Sequence, residues 1–290
     1  MNPKTKKSSS ILTAVSVLLL SAAVIMPFSG CKNKNSESNL SDSSDAPAKK
    51  ITIGFSIDTL AIERWQRDLD VFMNKAKELG ANVIVQNAGN SIEEQKRQLM
   101  YLANRNVDII VVLPKNAESL TEEIEKIRSK NIPVISYDRL VRNTKVDLYI
   151  TINSTLVGKM MAQEMQKIAG TKNWLLMLGP QEDYNMTLIQ NGIYSALVNP
   201  KKIISEVFFT EGWDYDLSKK KMIDIMTSGK IPDAIICGND AVADSVLSVL
   251  KVYRPGKHIP ICGQDADIAA CQNIVRGYQD FTIYKPITLL

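Results

Sequence analysis

Charged, amide and aromatic residues recur at seven places along the chain, each directly or within a few residues after a short run of apolar residues. The segments are Asp58–Trp65, Pro114–Asn116, Asp138–Arg139, Asp183–Asn185, Gly212–Trp213, Asn239–Asp240 and Gln264–Asp265. Carboxylates, amides and arginine can hydrogen-bond neighbouring hydroxyl groups in pairs, and an indole face covers a C–H face. These residue types suit the binding of a polar, uncharged ligand.

Catalysis is the first alternative use of these residues. Two carboxylates such as Asp138 and Asp265 could in principle act together in glycoside hydrolysis. The sequence contains no G-x-S-x-G, phosphate-loop or H-E-x-x-H motif, and its one histidine, His258, lies in a Pro-Gly turn. Cations or amides accompany each acid and would keep it ionised. The pattern therefore favours binding over catalysis, and we expect no cofactor and no metal ion.

Alternating strand and helix patterns would position these segments. The predicted strands are short apolar runs, rich in β-branched residues, at 51–57, 82–86, 107–113, 133–137, 174–178, 203–210, 234–237, 260–263 and 281–284, with a strand-like segment at 146–152. The predicted helices have apolar residues at steps of three and four, at 65–79, 92–104, 120–129, 156–169, 186–198, 217–228, 241–250 and 268–276.

Strands that alternate with helices form parallel sheets with right-handed crossovers. So many strands exceed one small open sheet, and the sequence predicts two doubly wound parallel-sheet α/β lobes, at 51–150 and 151–283. Because ligands bind beyond the carboxyl ends of such strands, the polar segments should face one another across an interlobe ligand cleft. Residues 284–290 would cross back towards the first lobe.

The N-terminus predicts export. Three lysines precede the apolar run 11–26, and small residues then lead to Cys31, as in a secretory signal peptide over residues 1–30. An uncleaved anchor, or an ordinary signal with an incidental cysteine, is the alternative. Residues 31–50 are polar and serine-rich, which predicts a disordered tether.

Composition limits the possible partners. The chain has a formal charge of +4, and three of its cations are the leader lysines, so nothing suggests a nucleic-acid partner. Apolar residues make up 45%, enough for sizeable cores. We expect Cys237 and Cys262 to be buried thiols, with a Cys262–Cys271 disulfide as the less favoured alternative.

Five short motifs resemble the periplasmic sugar-binding protein family, particularly its D-xylose-binding branch. They are Glu63–Gln66, Tyr137–Arg139, Gly238–Ala241, Gly263–Asp267 and Tyr284–Thr288. They occur in the family's order, and the similarity runs from residue 51 to residue 290. The resemblance implies a type I periplasmic-binding-protein fold. It also implies ligand-binding roles for ten residues, which are Arg64, Trp65, Asp138, Arg139, Asp183, Asn185, Trp213, Asn239, Asp265 and Lys285.

The resemblance also implies a function and a location. The protein would bind D-xylose or a similar pentose outside the cytoplasm by lobe closure and deliver it to the permease of an ABC importer. A sensor kinase in the membrane is the alternative partner. Residues 28–31 resemble a lipobox, so Cys31 would carry the lipid that anchors the protein to the cell membrane.

The sequence departs from the family pattern at several positions. Thr59 and Ala61 replace more polar residues, and Tyr184 stands where a smaller polar residue is usual. The family continues with a further helix beyond the position of Leu290, so either the sequence is truncated there or the first lobe lacks that helix and would expose apolar surface. Transcription regulators with the same two lobes carry an N-terminal helix-turn-helix, whereas this chain begins with an export signal.

Overall fold

A computed structural model describes residues 49–290 of the chain. The first lobe contains β1 (Thr52–Ile57), α1 (Glu63–Glu78), β2 (Asn82–Asn87), α2 (Ile92–Asn104), β3 (Ile109–Leu113), α3 (Thr121–Ser129), β4 (Val134–Tyr137) and β5 (Leu148–Ile150). These strands form one sheet in the order β2-β1-β3-β4-β5, and every pair is parallel.

The second lobe has the same architecture. Its elements are α4 (Ser154–Ala169), β6 (Trp174–Leu178), α5 (Tyr184–Ala196), α6 (Pro200–Ile203), β7 (Ile204–Phe209), α7 (Tyr215–Ser228), β8 (Ala234–Cys237), α8 (Asp240–Tyr253), β9 (Ile261–Gln264), α9 (Ile268–Val275) and β10 (Phe281–Ile283). Its parallel sheet has the order β10-β9-β8-β6-β7. The predicted fold of two parallel-sheet α/β lobes is therefore confirmed.

Apolar strands buried under helices form the cores of both lobes. In the second lobe every residue of β6 and β8 is buried, as expected for central strands covered on both faces. Helices α4 and α5 pack with their backbones in contact at two glycines. A β-carbon added at Gly158 would lie 2.0 Å from the Ile189 carbonyl oxygen, and one added at Gly192 would lie 2.1 Å from that of Thr155. No larger residue fits at either position without moving a helix.

Some local features differ from the sequence expectation. Residues 200–203 form the short helix α6, with Pro200 in its first turn, so β7 begins later than predicted. The predicted strand-like segment 146–152 contains only the three paired residues of β5. A short 3-10 turn, Glu211–Trp213, was not predicted.

After β10 the chain passes between the lobes and ends beside the first sheet. Lys285 lies at the boundary between the two lobes, and Ile287–Leu289 form a 3-10 turn. Residues 287–290 line a groove whose floor includes Ile53, Val111 and Ile135 of the first sheet. Apolar sheet surface is therefore accessible on this side of the first lobe.

The cysteines and the helices of the described region allow two further statements. Cys237 and Cys262 are buried, Cys271 is exposed, and all three are free thiols, as the sequence favoured. Among residues 49–290, no helix has both the length and the apolar character needed to cross a bilayer. The predicted signal peptide, the lipidation site Cys31 and nearly all of the predicted tether lie outside the described residues.

Candidate ligand-binding site

A buried cavity lies between the lobes, where the carboxyl ends of the two sheets face each other. Its volume is about 30 Å³, room for one or two water molecules. Fourteen residues line it, and all ten predicted site residues are among them. They are Ile62, Arg64, Trp65, Asp138, Arg139, Ser154, Asp183, Asn185, Met186, Trp213, Asn239, Gln264, Asp265 and Lys285.

Arg64 is the cationic centre of the first-lobe wall. It lies in the first turn of α1 and forms ion pairs with Asp138, with Asp68 at 3.5 Å and with Asp265 of the second lobe at 3.8 Å. Burial alone would lower the pKa of Arg64, but the three carboxylates outweigh burial and raise it. Burial alone would likewise raise the pKa of Asp138, yet the neighbouring cations, Arg64 above all, hold that pKa below its ordinary value. Both groups therefore stay charged.

Arg139 connects the two lobes through a second set of ion pairs. Its Nη1 donates to Asp58 Oδ2 at 2.6 Å and to the Pro114 carbonyl oxygen at 3.2 Å. Its Nε lies 2.7 Å from Asp183 Oδ2 of the second lobe, although the angle is outside hydrogen-bonding geometry. Burial raises the pKa of Asp183 and Asp138 adds to the effect, while Arg139 opposes both.

The turn after β4 positions Asp138 and Arg139. Asp138 adopts a left-handed backbone conformation, with a φ of 58°, which is uncommon outside glycine. Two hydroxyl groups stabilise the turn, because Tyr149 and Thr151 donate to the Asp138 carbonyl oxygen at 3.0 and 2.7 Å. The side chain of Asn185 donates from the second lobe to Asp138 Oδ1 at 2.8 Å. Such backbone outliers concentrate at functional sites.

Helix starts and strand ends supply the second-lobe wall. Asp183 caps α5 by accepting from the Asn185 backbone at 3.1 Å, and Asn239 caps α8 by accepting from the Val242 backbone at 2.9 Å. Asp240 is the first residue of α8, and its carboxylate accepts from the Asp267 backbone and the Thr282 hydroxyl. Lys285 Nζ lies 2.6 Å from Asp265 Oδ1 at the cavity wall.

Two of the three tryptophans line the cavity. The guanidinium carbon of Arg64 lies 4.6 Å from the centroid of the Trp65 ring, and that of Arg139 lies 5.4 Å from it. The ring of Trp213 packs against Gly179, where an added β-carbon would lie 2.2 Å from the indole. Gly179 therefore makes room for the ring, and Trp174 lies instead in the second-lobe core.

Several buried polar atoms of the wall have no hydrogen-bond partner within the described protein. They are Arg64 Nε, Asn185 Oδ1 and the indole nitrogens of Trp65 and Trp213. A buried polar atom without a partner destabilises a protein by about 1–3 kcal/mol. The cavity therefore offers both donors and acceptors to a small polar molecule.

The rule that ligand-binding residues follow the carboxyl ends of the strands selected some residues that lie outside the cavity and missed others that line it. The Asn116 side chain accepts from the backbone of Glu118 and Ser119 in a turn and does not line the cavity. Asp58 directly follows β1 and is not among the ten predicted site residues. It is buried and forms an ion pair with Arg139, which lines the cavity. Ile62 and Gln264, which lie in the strand-end segments but were not among the ten predicted site residues, complete the lining with Ser154 and Met186, which the rule missed.

Comparisons with known proteins place this architecture in a family. The chain matches the model of the periplasmic binding protein domain over residues 53–289. The chain belongs to the periplasmic binding protein family. It is therefore a binding protein rather than an enzyme, in agreement with the sequence prediction.

Relatives within the periplasmic binding protein family include two curated proteins at 36% identity. One is the D-xylose-binding periplasmic protein of Haemophilus influenzae, matched over 253 residues, which are 86% of this chain and 76% of that protein. The other is its namesake in Escherichia coli, matched over 251 residues, with coverages of 84% and 76%. These matches confirm the resemblance to the xylose branch that the sequence motifs indicated.

Solved structures agree with the fold. An ABC transporter solute-binding protein from Clostridium phytofermentans with bound β-D-glucose superposes with a TM-score of 0.75 at 25% identity, covering 82% of this chain and 80% of the other. The Caulobacter myo-inositol-binding protein superposes with a TM-score of 0.77 at 20% identity, with coverages of 83% and 84%. The two-lobed architecture is thus that of this family.

Proposed function

We propose that the protein binds D-xylose or a similar pentose in the interlobe cavity. The observation that carries the proposal is the balance of charge in the cavity lining. Three cations, Arg64, Arg139 and Lys285, face three carboxylates, Asp138, Asp183 and Asp265. A wall of balanced charges with unpaired donors and acceptors suits an uncharged ligand with many hydroxyl groups better than an ion.

The named functions of the relatives support the choice of ligand. Both curated proteins at 36% identity are D-xylose-binding proteins, and the structural neighbour at 25% identity contains β-D-glucose. Trp65 and Trp213 would cover the C–H faces of the sugar, and the other eight of the ten predicted residues would supply its polar contacts. Binding between two lobes joined by short crossings would exclude water by hinge closure.

Calorimetric titration of the purified protein tests the assignment. We expect one-to-one binding of D-xylose, with weaker binding of L-arabinose, D-ribose and D-glucose. Incubation with a chromogenic xyloside should release no chromophore. Absence of binding to every sugar would contradict the proposal, and tighter binding of a hexose would move the ligand outside the pentose class.

We further propose export, lipidation at Cys31 and delivery of the sugar to an ABC importer. Residues 1–30 would be removed as a signal peptide, residues 31–50 would tether the protein, and the two lobes would be 51–150 and 151–283. Radiolabelled palmitate should enter the wild-type protein and fail to enter the Cys31→Ser variant. In a sugar-dependent pull-down, we expect a transporter permease, and recovery of a sensor kinase alone would favour the alternative partner.

A further inference from the structure

An arginine at the rim of the cavity reaches from the first lobe to the second. Arg67 lies on α1, one turn after Glu63, and does not line the cavity. Its Nη2 donates to the Asp265 carbonyl oxygen at 2.8 Å and to Asp267 Oδ1 at 3.0 Å, and its Nη1 donates to the Ala266 carbonyl oxygen at 3.1 Å. One guanidinium therefore makes three contacts with the loop between β9 and α9.

Glu63 adds a contact in the opposite direction. Its Oε1 accepts from the backbone N–H of Ile268, the first residue of α9, at 3.3 Å, and also lies 3.3 Å from Arg67 Nη1. A carboxylate is favoured at a helix start because the backbone N–H groups there carry partial positive charge. The two side chains thus bond both the carbonyl oxygens of the loop between β9 and α9 and the first backbone N–H group of α9.

The loop that they hold is rigidly attached to its own lobe. The backbone N–H groups of Asp265 and Asp267 donate to the Ile283 carbonyl oxygen and to Asp240 Oδ2, both at 3.0 Å. Asp265 and Ala266 have φ values of 103° and 53°, a conformation that non-glycine residues seldom adopt. Because the loop keeps this conformation, its carbonyl groups cannot follow Arg67 if the lobes separate. Arg67 can therefore bond the loop only when the lobes are close together.

The same loop carries a residue of the cavity wall. Asp265 presents its carbonyl oxygen to Arg67, while its side chain lies beside Lys285 and Arg64 in the cavity. Arg67 therefore links the two lobes at Asp265, a residue that would contact the ligand.

We propose that Glu63 and Arg67 form an interlobe clasp that stabilises the closed arrangement without contacting the ligand. The proposal rests on the proposed sugar-binding function. Because the clasp lies outside the cavity, its contribution is the same whichever sugar is bound. Its loss raises the dissociation constant for every sugar by one factor and acts mainly on the dissociation rate, since closure follows encounter.

The test compares Arg67→Ala with a matched control, Arg128→Ala. Both arginine side chains are 33% exposed, but Arg128 pairs with Asp147 inside the first lobe. Arg67→Ala is expected to raise the dissociation constant for D-xylose about tenfold, with nearly all of the change in the dissociation rate. The control should stay near wild type. The dissociation constant of Arg67→Lys should lie between those of the two alanine variants, because lysine keeps the positive charge but lacks the paired N–H donors of a guanidinium group.

Calorimetry with D-xylose, L-arabinose and D-glucose, together with stopped-flow tryptophan fluorescence, gives the readouts. The clasp is supported if Arg67→Ala raises the dissociation constant by the same factor for every sugar that binds and leaves the unfolding midpoint unchanged. Wild-type affinity in Arg67→Ala would overturn it, and so would a factor that differs among sugars, since that would mean ligand contact. If Arg67→Ala folds poorly, Glu63→Gln provides the same comparison, with a smaller equal factor expected and an unchanged affinity overturning the clasp.

If the wild-type protein binds no sugar, the proposed function fails while the clasp can still be judged. Small-angle X-ray scattering of the unliganded proteins then decides. A larger radius of gyration in Arg67→Ala than in wild type and Arg128→Ala would support the clasp, and equal radii would overturn it.

Discussion

Asp138 and Asp265, which line the cavity, differ from Asp240, which does not, in the groups that neighbour their carboxylates. Asp138 and Asp265 each lie beside an arginine or lysine of the wall, and cations hold the pKa of Asp138 below its ordinary value. Behind them, Asp240 accepts from Thr282, from Gln279 and from the backbone of Asp267, all of which are neutral donors. Burial raises its pKa to about 6.

Asp267 and Asp68 also have raised pKa values, although each lies beside an arginine, Arg67 and Arg64 respectively. Burial, followed by the charges of Asp265, Asp240 and Glu63, raises the pKa of Asp267 to about 7, in spite of Arg67. Burial also raises the pKa of Asp68 to about 6, against the charge of Arg64 and the hydrogen bond from Tyr137. The comparison teaches that cations keep Asp138 ionised in the wall, whereas burial dominates at Asp240, Asp267 and Asp68, which partly protonate near neutral pH.

Arg139→Ala should cause the largest effect, because it breaks a buried ion-pair set of the wall. The substitution leaves Asp58 and Asp183, both buried, without their cation. Removing one partner of a buried pair lowers the free energy of unfolding by about 3–5 kcal/mol. Urea unfolding measures the loss, with Arg128→Ala as the exposed control. A stable Arg139→Ala protein would mean that the wall tolerates unpaired charge.

Asp265→Ala should mainly affect ligand affinity. Arg64 keeps Asp138 and Asp68 as partners after the substitution, so we expect the protein to fold, with some loss of stability because Lys285 loses its ion pair with Asp265. The loss of charged contacts with the sugar should raise the dissociation constant of D-xylose about 100-fold. Glu122→Ala, which removes an exposed carboxylate paired with Lys126, serves as the control in the titration. Unchanged affinity would remove Asp265 from the binding site.

Asp240→Ala should separate support from binding. Its two oxygens accept three hydrogen bonds from buried or half-buried groups, and losing them should lower the free energy of unfolding by about 2 kcal/mol. Sugar affinity should change little, because Asp240 does not line the cavity. Asp216→Ala, in the exposed first turn of α7, is the control. A large loss of affinity with normal stability would place Asp240 in the site itself.

The pH dependence of stability should show the smallest effect. The folded-state pKa values of Asp267, Asp240 and Asp68 exceed the ordinary value of 3.8, so the folded protein binds more protons than the unfolded chain between about pH 4 and pH 7. The free energy of unfolding should therefore fall as the pH rises through this window. Asp267→Asn should make the decline shallower in urea unfolding between pH 5 and pH 8. A rise in stability with pH would contradict the assignment.

The residues that line the cavity were largely predictable because parallel strands bring their carboxyl ends to one edge of a sheet. This geometry makes position after a strand informative, and it selected Asp138, Asp183 and Asp265 from the sequence. The overall fold was predictable for a related reason, since apolar strand patterns alternate with helical ones.

The clasp was not predictable from the sequence. Two of Arg67's acceptors are backbone carbonyl oxygens almost 200 positions away, and carbonyl groups leave no residue signature. The choice of Asn239 over Asp240 as the helix cap was equally hidden, because both residue types cap helices and only backbone conformation distinguishes them.

The wide spacing of the cavity residues along the chain has a consequence for folding kinetics. Arg64 meets Asp138, and Arg139 meets Asp58, across separations of 74 and 81 residues, while the rim contact of Arg67 spans 198. Contacts between distant residues form late because the chain must first lose the entropy of long loops. Each lobe can assemble its own sheet beforehand. In a refolding experiment, helical circular dichroism should therefore return before the capacity to bind sugar.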